Sequence, residues 1–282
     1  MTKCYHFENI ENQNGIMDNI VDATYIIHLE NNDRLENINQ QLKRCAISKK
    51  IHILFNKGTT CDKNIKVHVP PTDLVDAFYQ CFKHAKQNSY NNILILEDDF
   101  IFDDKINDVS HIENIRDFFE RNEHKPISYR IGCVPLIKFP CDMTFKHYHG
   151  VFSGTHAVIY NKPFCDMLLN IDSNEINDWD VFNNNLYAYT YYTPLCYQLF
   201  PDTVNSYYWG FDSYIRRFIG ILIYSLFQLF GLNKSIEPGY PFFYMFSNIT
   251  FLLIFGLLIY LGFILIKLLF CLSKKKCKYF PF

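Results

Sequence analysis

The sequence predicts an α/β domain, a mostly parallel sheet flanked by helices, followed by a C-terminal hydrophobic helical region that anchors it to a membrane. Three observations carry this. Short branched-apolar runs alternate with amphipathic helical patterns over the first hundred residues, the order of βαβ units with right-handed crossovers. One run, Ile93-Leu94-Ile95-Leu96, has no polar alternation and so reads as a strand buried on both faces. The hydrophobic excess of the 282-residue chain, 49% hydrophobic and 17% aromatic, gathers after Tyr207.

Residues 1–22 read as a polar, partly disordered lead-in. Thr24-Tyr25-Ile26-Ile27-His28-Leu29 is the first strand, followed by a helix with Leu35, Ile38, Leu42 and Ala46 on one face. Residues 51–55 form the second strand, closed by the Asn56-Lys57-Gly58 turn, and Val67-His68-Val69 a short third, stopped by Pro70-Pro71. Thr72 or Asp73 caps the next helix, whose stripe is Leu74, Phe78, Phe82 and Ala85. That helix leads into the 93–96 strand and completes a Rossmann-like half. No Gly-x-Gly-x-x-Gly is present, which argues against a dinucleotide cofactor. Further on come a helix over 111–122, a strand over 127–134, an irregular stretch over 139–150, a strand over 154–160 and a short helix over 162–169. Aromatic strands follow over 186–192 and 195–200, and the domain of residues 23–205 ends there.

The remainder, 206–282, is the membrane-anchoring region. Residues 218–232, within a helix over 215–232, would cover only ~22 Å at 1.5 Å per residue, so an interfacial or re-entrant helix fits better than a span. Residues 250–272 read as a transmembrane helix. Arg216-Arg217 and lysines 274–276 flank the two stretches, so the positive-inside rule favours a hairpin with both flanks, and the domain, facing the cytosol of an endomembrane or viral membrane. The sequons at Asn233 and Asn248 then fall in a lumenal loop. No signal peptide is expected at the start. Ten cysteines without a Cys-x-x-Cys pair favour a reduced domain, and a net charge of −2 argues against nucleic acid as a partner.

Chemistry centres on Glu97, Asp98 and Asp99. Three acids at a strand tip repel one another and lose solvation, so a cation is expected beside them. Carboxylate oxygens there suit Mn²⁺ or Mg²⁺, and ligands of open α/β sheets bind at the carboxyl ends of the strands. An acidic turn closing a core strand is the plainer alternative. His147 and His149 have zinc-like spacing but no converging partners.

Around these residues the chain resembles glycosyltransferase family 25, the lipopolysaccharide and collagen sugar-transferase group with a GT-A fold. The likeness spans roughly residues 23–202. It rests on Tyr25-Ile26-Ile27-His28-Leu29 with Asn32-Asp33-Arg34, on Leu94-Ile95-Leu96-Glu97-Asp98-Asp99, on Gly154-Thr155-His156-Ala157-Val158-Ile159, and on Asp178 or Asp180 with Pro194 and Gln198. His28 departs from the family's usual Asn and Val158 from its Tyr. The resemblance implies a membrane-anchored hexosyltransferase that uses a uridine-diphosphate hexose and a glycan, lipid or protein acceptor. It implies metal ligation by Glu97 and Asp99, or by Asp98, donor contacts from Tyr25, Arg34, Asp98 and His156, and a general base at Asp178 or Asp180. Each has a plainer reading: Asp178 as a helix cap, Asp180 as its solvated neighbour, His156 as a packed core side chain, Arg34 as a surface residue. A catalytically inactive membrane scaffold is the alternative from another class, while a metal-dependent phosphohydrolase would need further Asp/His clusters.

Overall fold

The computed structural model describes residues 4–30, 32–184, 187–198, 213–231 and 239–277. The chain begins with β1 (Tyr5–Glu11), β2 (Ala23–Leu29), α1 (Leu35–Arg44), β3 (Lys50–Asn56), α2 (Pro70–Gln87) and β4 (Asn92–Glu97). It continues through β5 (Phe100–Phe102), α3 (Val109–Asn122), β6 (Ser128–Pro140), β7 (His147–Asn161), α4 (Lys162–Leu168) and α5 (Trp179–Phe182). It closes with β8 (Ala188–Tyr191), β9 (Cys196–Gln198), α6 (Tyr214–Leu229) and α7 (Gly239–Cys277).

The main sheet runs β1-β3-β2-β4-β7-β6-β8, and β5 pairs with β9 in a small second sheet. Strands β3, β2 and β4 are mutually parallel, as βαβ order requires. The expectation of a mostly parallel sheet holds best for these three. β1 pairs antiparallel to β3, β7 antiparallel to β4, and the long β6–β7 hairpin supplies the rest of that side. The sheet is therefore mixed, with helices on both faces.

Alternation along β2 and β4 sorts side chains between two cores. Tyr25, Ile27, Ile93 and Ile95 pack under α2 with Phe78, Phe82 and Trp179. Ile26, Leu94 and Leu96 pack on the other face with Ile38 of α1 and Ile115, Phe118 and Phe119 of α3. Because β4 is covered on both sides, its uninterrupted apolar run is required, and its carboxyl end is aimed into the protein.

Several expectations need correction. The lead-in is structured: β1 forms an edge strand on β3, and Met17, Ile20 and Val21 are buried in the core. Residues 67–69 are not a strand. Val69 instead immediately precedes α2, Pro70 and Pro71 occupy the first helical turn where a missing N–H costs nothing, and Thr72 Oγ1 accepts the Val69 N–H at 3.4 Å. Asp73, the other expected cap, is buried in an ion pair with Lys63. Residues 139–150 form the end of a hairpin: β6 runs to Pro140, residues 141–146 turn, and β7 starts at His147, with bulges absorbing Pro135 and the nearby register shifts.

A further correction concerns the membrane region. One helix among the described residues is long and apolar enough to span a bilayer, Pro241–Phe270 within α7, and α6 has 16 residues. Phe230, just after α6, stacks on Phe242 at 4.4 Å, and Phe243 packs on Val134 and Tyr197 of the domain. The end of α6 and the start of α7 thus meet on the domain itself. A membrane-crossing hairpin would put that junction on the far side of the bilayer. Asn248, expected in a lumenal loop, lies inside α7. Asn233, the strand continuation at Leu199 and Phe200, and the boundary at 205 lie outside the described residues. Cys4 and Cys61 form a disulfide, against the expectation of a reduced domain.

Candidate active site

The acidic strand tip faces four elements: the turn after β2, the bend of β7 at Gly154 and Thr155, the start of α5, and β9. Gly154 holds φ +89°, a left-handed conformation that glycine tolerates, and this turns β7 across the end of β4.

Asp98 is fully engaged. Its Oδ2 accepts from Asn32 Nδ2 at 2.7 Å and Leu29 N at 3.1 Å and lies 3.2 Å from His28 Nδ1, while Oδ1 accepts from Arg34 Nη1 at 2.7 Å. Burial alone would raise this carboxyl, but the His28 hydrogen bond and the Arg34 charge outweigh it and hold its pKa below the ordinary value. Asp98 therefore ties the β2 turn to β4. Asn37 adds to this tie by donating to the Asp98 and Phe100 carbonyls.

Asp99 Oδ2 accepts from Gln198 Nε2 at 3.0 Å and from Arg34 Nη1 at 3.3 Å, whereas its buried Oδ1 has no hydrogen-bond partner among the described residues. Burial pushes its pKa up to about 6 despite Arg34. Glu97 Oε1 accepts from Thr155 Oγ1 at 2.8 Å. Burial and then the charges of Asp99 and Asp180 drive Glu97 well above the usual carboxylate range. Asp180 lies with this group. Burial, and then Asp178, raises its pKa to about 6, opposed by Thr155, Arg130 and the Gly154 backbone. Its buried Oδ1 likewise has no hydrogen-bond partner among the described residues. The Thr155 hydroxyl has one proton for two carboxyl groups. Glu97 and Asp180 share it best with one of the pair protonated.

The predicted site residues divide accordingly. Glu97, Asp98, Asp99, Asp180 and Arg34 come together. Asp178 accepts the Val181 N–H at 3.0 Å and caps α5, as the plainer reading had it. Asp180 is not the solvated neighbour of that reading. Tyr25, expected at the donor, is fully buried on the α2 side of the sheet with its hydroxyl 2.8 Å from His84 Nδ1. His156 is also fully buried, its Nε2 3.5 Å from the Cys196 carbonyl oxygen, and burial lowers its pKa to about 4, which keeps it neutral.

Of the two expected metal ligands, Asp99 keeps its buried Oδ1 without a partner among the described residues, while Glu97 holds Thr155 through Oε1. Among the described residues, no group of three His, Cys, Asp or Glu side chains is placed to hold a metal ion. Both Asp98 oxygens are committed, and Arg34 bridges Asp98 and Asp99. The Arg34 guanidinium supplies a cation at this tip.

Sequence reasoning missed Thr155 as the link between Glu97 and Asp180, and it missed Asn32 and Asn37 as anchors of the tip. It also missed Arg130, completely buried with Nε and Nη1 unpartnered among the described residues, which sits near enough to Asp180 to lower its pKa. A run of Arg-Ile-Gly-Cys gave no sign that the arginine points inward. A surface hollow of about 500 Å³ beside α2, walled by Lys63, Asp76 and Lys83, contains none of these residues.

No family model matches this chain, and no curated protein matches it. Among solved structures it is similar to the crystal structure of A197 from STIV, at 11% identity and a TM-score of 0.35, over 62% of this chain and 82% of that one. A likeness of that strength carries no argument. What stands is a mixed α/β protein with buried carboxylates at the tip of a parallel strand and a C-terminal apolar helix long enough to cross a membrane.

Proposed function

We propose that this protein is a membrane-anchored glycosyltransferase of GT-A type that moves a hexose from a nucleotide sugar, a uridine-diphosphate hexose, to a hydroxyl on a glycan, lipid or protein. The observation that carries the reading is the state of Asp180: half-buried, its buried Oδ1 unpartnered among the described residues, and its pKa raised to about 6 beside Glu97 at the carboxyl end of β4. A carboxylate with that pKa is ionised at neutral pH yet basic enough to accept a proton from a hydroxyl. In the step proposed, the acceptor oxygen attacks the anomeric carbon as Asp180 takes its proton. The bond from sugar to diphosphate breaks with its electron pair on the diphosphate. Arg34 Nη1 makes both carboxylate contacts, and about a quarter of this side chain stays exposed, positioned to meet the leaving charge.

Two observations support a non-cytosolic domain. A Cys4–Cys61 disulfide belongs to an oxidising compartment, and a single span rooted on the domain puts lysines 274–276 on the opposite side, where the positive-inside rule wants the cytosol. The closed ion pair of Arg34 with Asp98 and Asp99 favours a second reading, a non-catalytic membrane scaffold. Asp180→Asn separates them. The enzyme should lose turnover by at least ~10²-fold while still binding nucleotide, since general-base catalysis contributes about that much. A scaffold has no turnover to lose.

A further inference from the structure

The turn that joins β6 to β7 carries two exposed apolar side chains, Met143, 90% exposed, and Phe145, 52% exposed. Its placement follows from the contacts between β6 and α7. Val134 packs with Phe243, Cys133 Sγ lies 3.5 Å from the Tyr244 hydroxyl, and further along Phe139 packs edge-on against Phe251 at 5.8 Å. Rising numbers on the strand meet rising numbers on the helix. Strand and helix therefore run toward the same end of the molecule, and the turn projects beyond the level of Phe251.

That level can be set against a bilayer. The apolar stretch Pro241–Phe270 has 30 residues, about 45 Å of helix, whereas a hydrocarbon core of ~30 Å takes about 20 residues. The excess lies at the start, where Phe243, Tyr244 and Ser247 are buried against the domain. Hydrocarbon then begins near Phe251, and the turn, four residues past Phe139 at Met143, reaches at most ~13 Å further.

We propose that residues 141–146 dip into the bilayer beside α7, with Met143 and Phe145 as lipid anchors. The turn is built for such a place. Cys141 N donates to the His147 carbonyl at 2.8 Å, and Asp142 Oδ1 accepts from Thr144 N at 2.9 Å, so these polar groups are satisfied within the turn. Arg121 reaches Asp142 Oδ2 at 3.5 Å and Lys146 Nζ donates to Asn114 Oδ1 at 2.8 Å, so α3 pairs the charged groups of the turn. Phe145 is held at φ +54°, a left-handed backbone unusual for an aromatic residue, and such outliers gather where function requires them. The occupant is the lipid surface rather than a second copy, because exposed Phe139, packed on Phe251, joins the strand leading to this tip to the exposed apolar surface of α7.

The inference rests on α7 being a span, and the test separates the two. An environment-sensitive fluorescent amino acid is placed in turn at positions 143, 145, 257 and 109 of the full chain in lipid nanodiscs. Quenching is read with brominated acyl chains and with aqueous iodide. Positions 143 and 145 should be quenched by bromines set shallow in the acyl chain, 257 by deep bromines, and 109, at the exposed start of α3, by iodide alone. Lipid quenching at 257 with iodide quenching at 143 and 145 overturns the dipping turn and leaves the span. Shielding of 143 and 145 from both quenchers means that protein covers them, and also overturns it. Iodide quenching at 257 removes the span and the inference with it.

Discussion

Replacing Asp180 by Asn should make the protein more stable and inactive at once. Its pKa is raised from 3.8 to about 6, mainly because burial disfavours the charge. A shift of about two units corresponds to roughly 3 kcal/mol of ionisation cost at neutral pH, at 1.36 kcal/mol per unit. Asn keeps an acceptor for Thr155 but brings an amide that needs its own partner, so a net gain of about 1–2 kcal/mol is expected. For a domain of about two hundred residues this is roughly 3–6 °C in Tm. The sign with pH is fixed. A carboxyl whose folded pKa lies above its unfolded one costs stability above about pH 6, and the cost fades to nothing below about pH 4. The advantage of the variant should therefore be full at pH 7.5 and absent near pH 4. Calorimetric scans of wild type and variant across that range are the assay. A variant less stable at pH 7.5, or one whose advantage ignores pH, would refute the buried-charge reasoning.

Other outcomes follow from the same geometry. Asp178→Ala removes the α5 cap and should cost about 1 kcal/mol in denaturant unfolding while leaving turnover within a few-fold. Because Arg34 already holds Asp98 and Asp99, nucleotide binding measured by calorimetry should be the same with Mn²⁺ as with a chelator, and tightening of tenfold or more by Mn²⁺ would count against that arrangement. The disulfide closes a separation of 57 residues, so Cys4→Ser should lower stability by about 4 kcal/mol in the chain-entropy account, and non-reducing peptide mapping should recover the crosslink. In sealed microsomes a tag on the N-terminal side should be protected from added protease and a tag after the lysines digested; the reverse would return the domain to the cytosol.

The sequence was most readable where burial forces composition. β4 had to be apolar throughout because helices cover both its faces, and the α2 stripe had to recur at helical spacing. β1 was hidden because it is an edge strand whose Glu, Asn and His residues face water on the sheet's rim, leaving Phe7 and Ile10 as thin apolar signal. The β6–β7 hairpin was hidden by Pro135, Pro140 and Gly150, residues that usually interrupt strands and here sit at bulges and near the hairpin end. At the site, the need for a cation beside the three acids was readable from charge alone. Its identity was not, since Arg34 reaches Asp98 and Asp99 only when the turn after β2 folds over β4, across 64 and 65 residues of sequence. The choice between Asp178 and Asp180 likewise depended on which face of one short helical turn meets Thr155.

The central claim is tested most directly by turnover of the full chain in nanodiscs against a panel of nucleotide sugars, read as nucleotide release with and without hydroxyl acceptors. The account predicts acceptor-dependent release from at least one donor, falling by ~10²-fold or more in Asp180→Asn with nucleotide binding retained. Release that is equal in wild type and Asp180→Asn, or failure to bind any nucleotide at millimolar concentration, would contradict it.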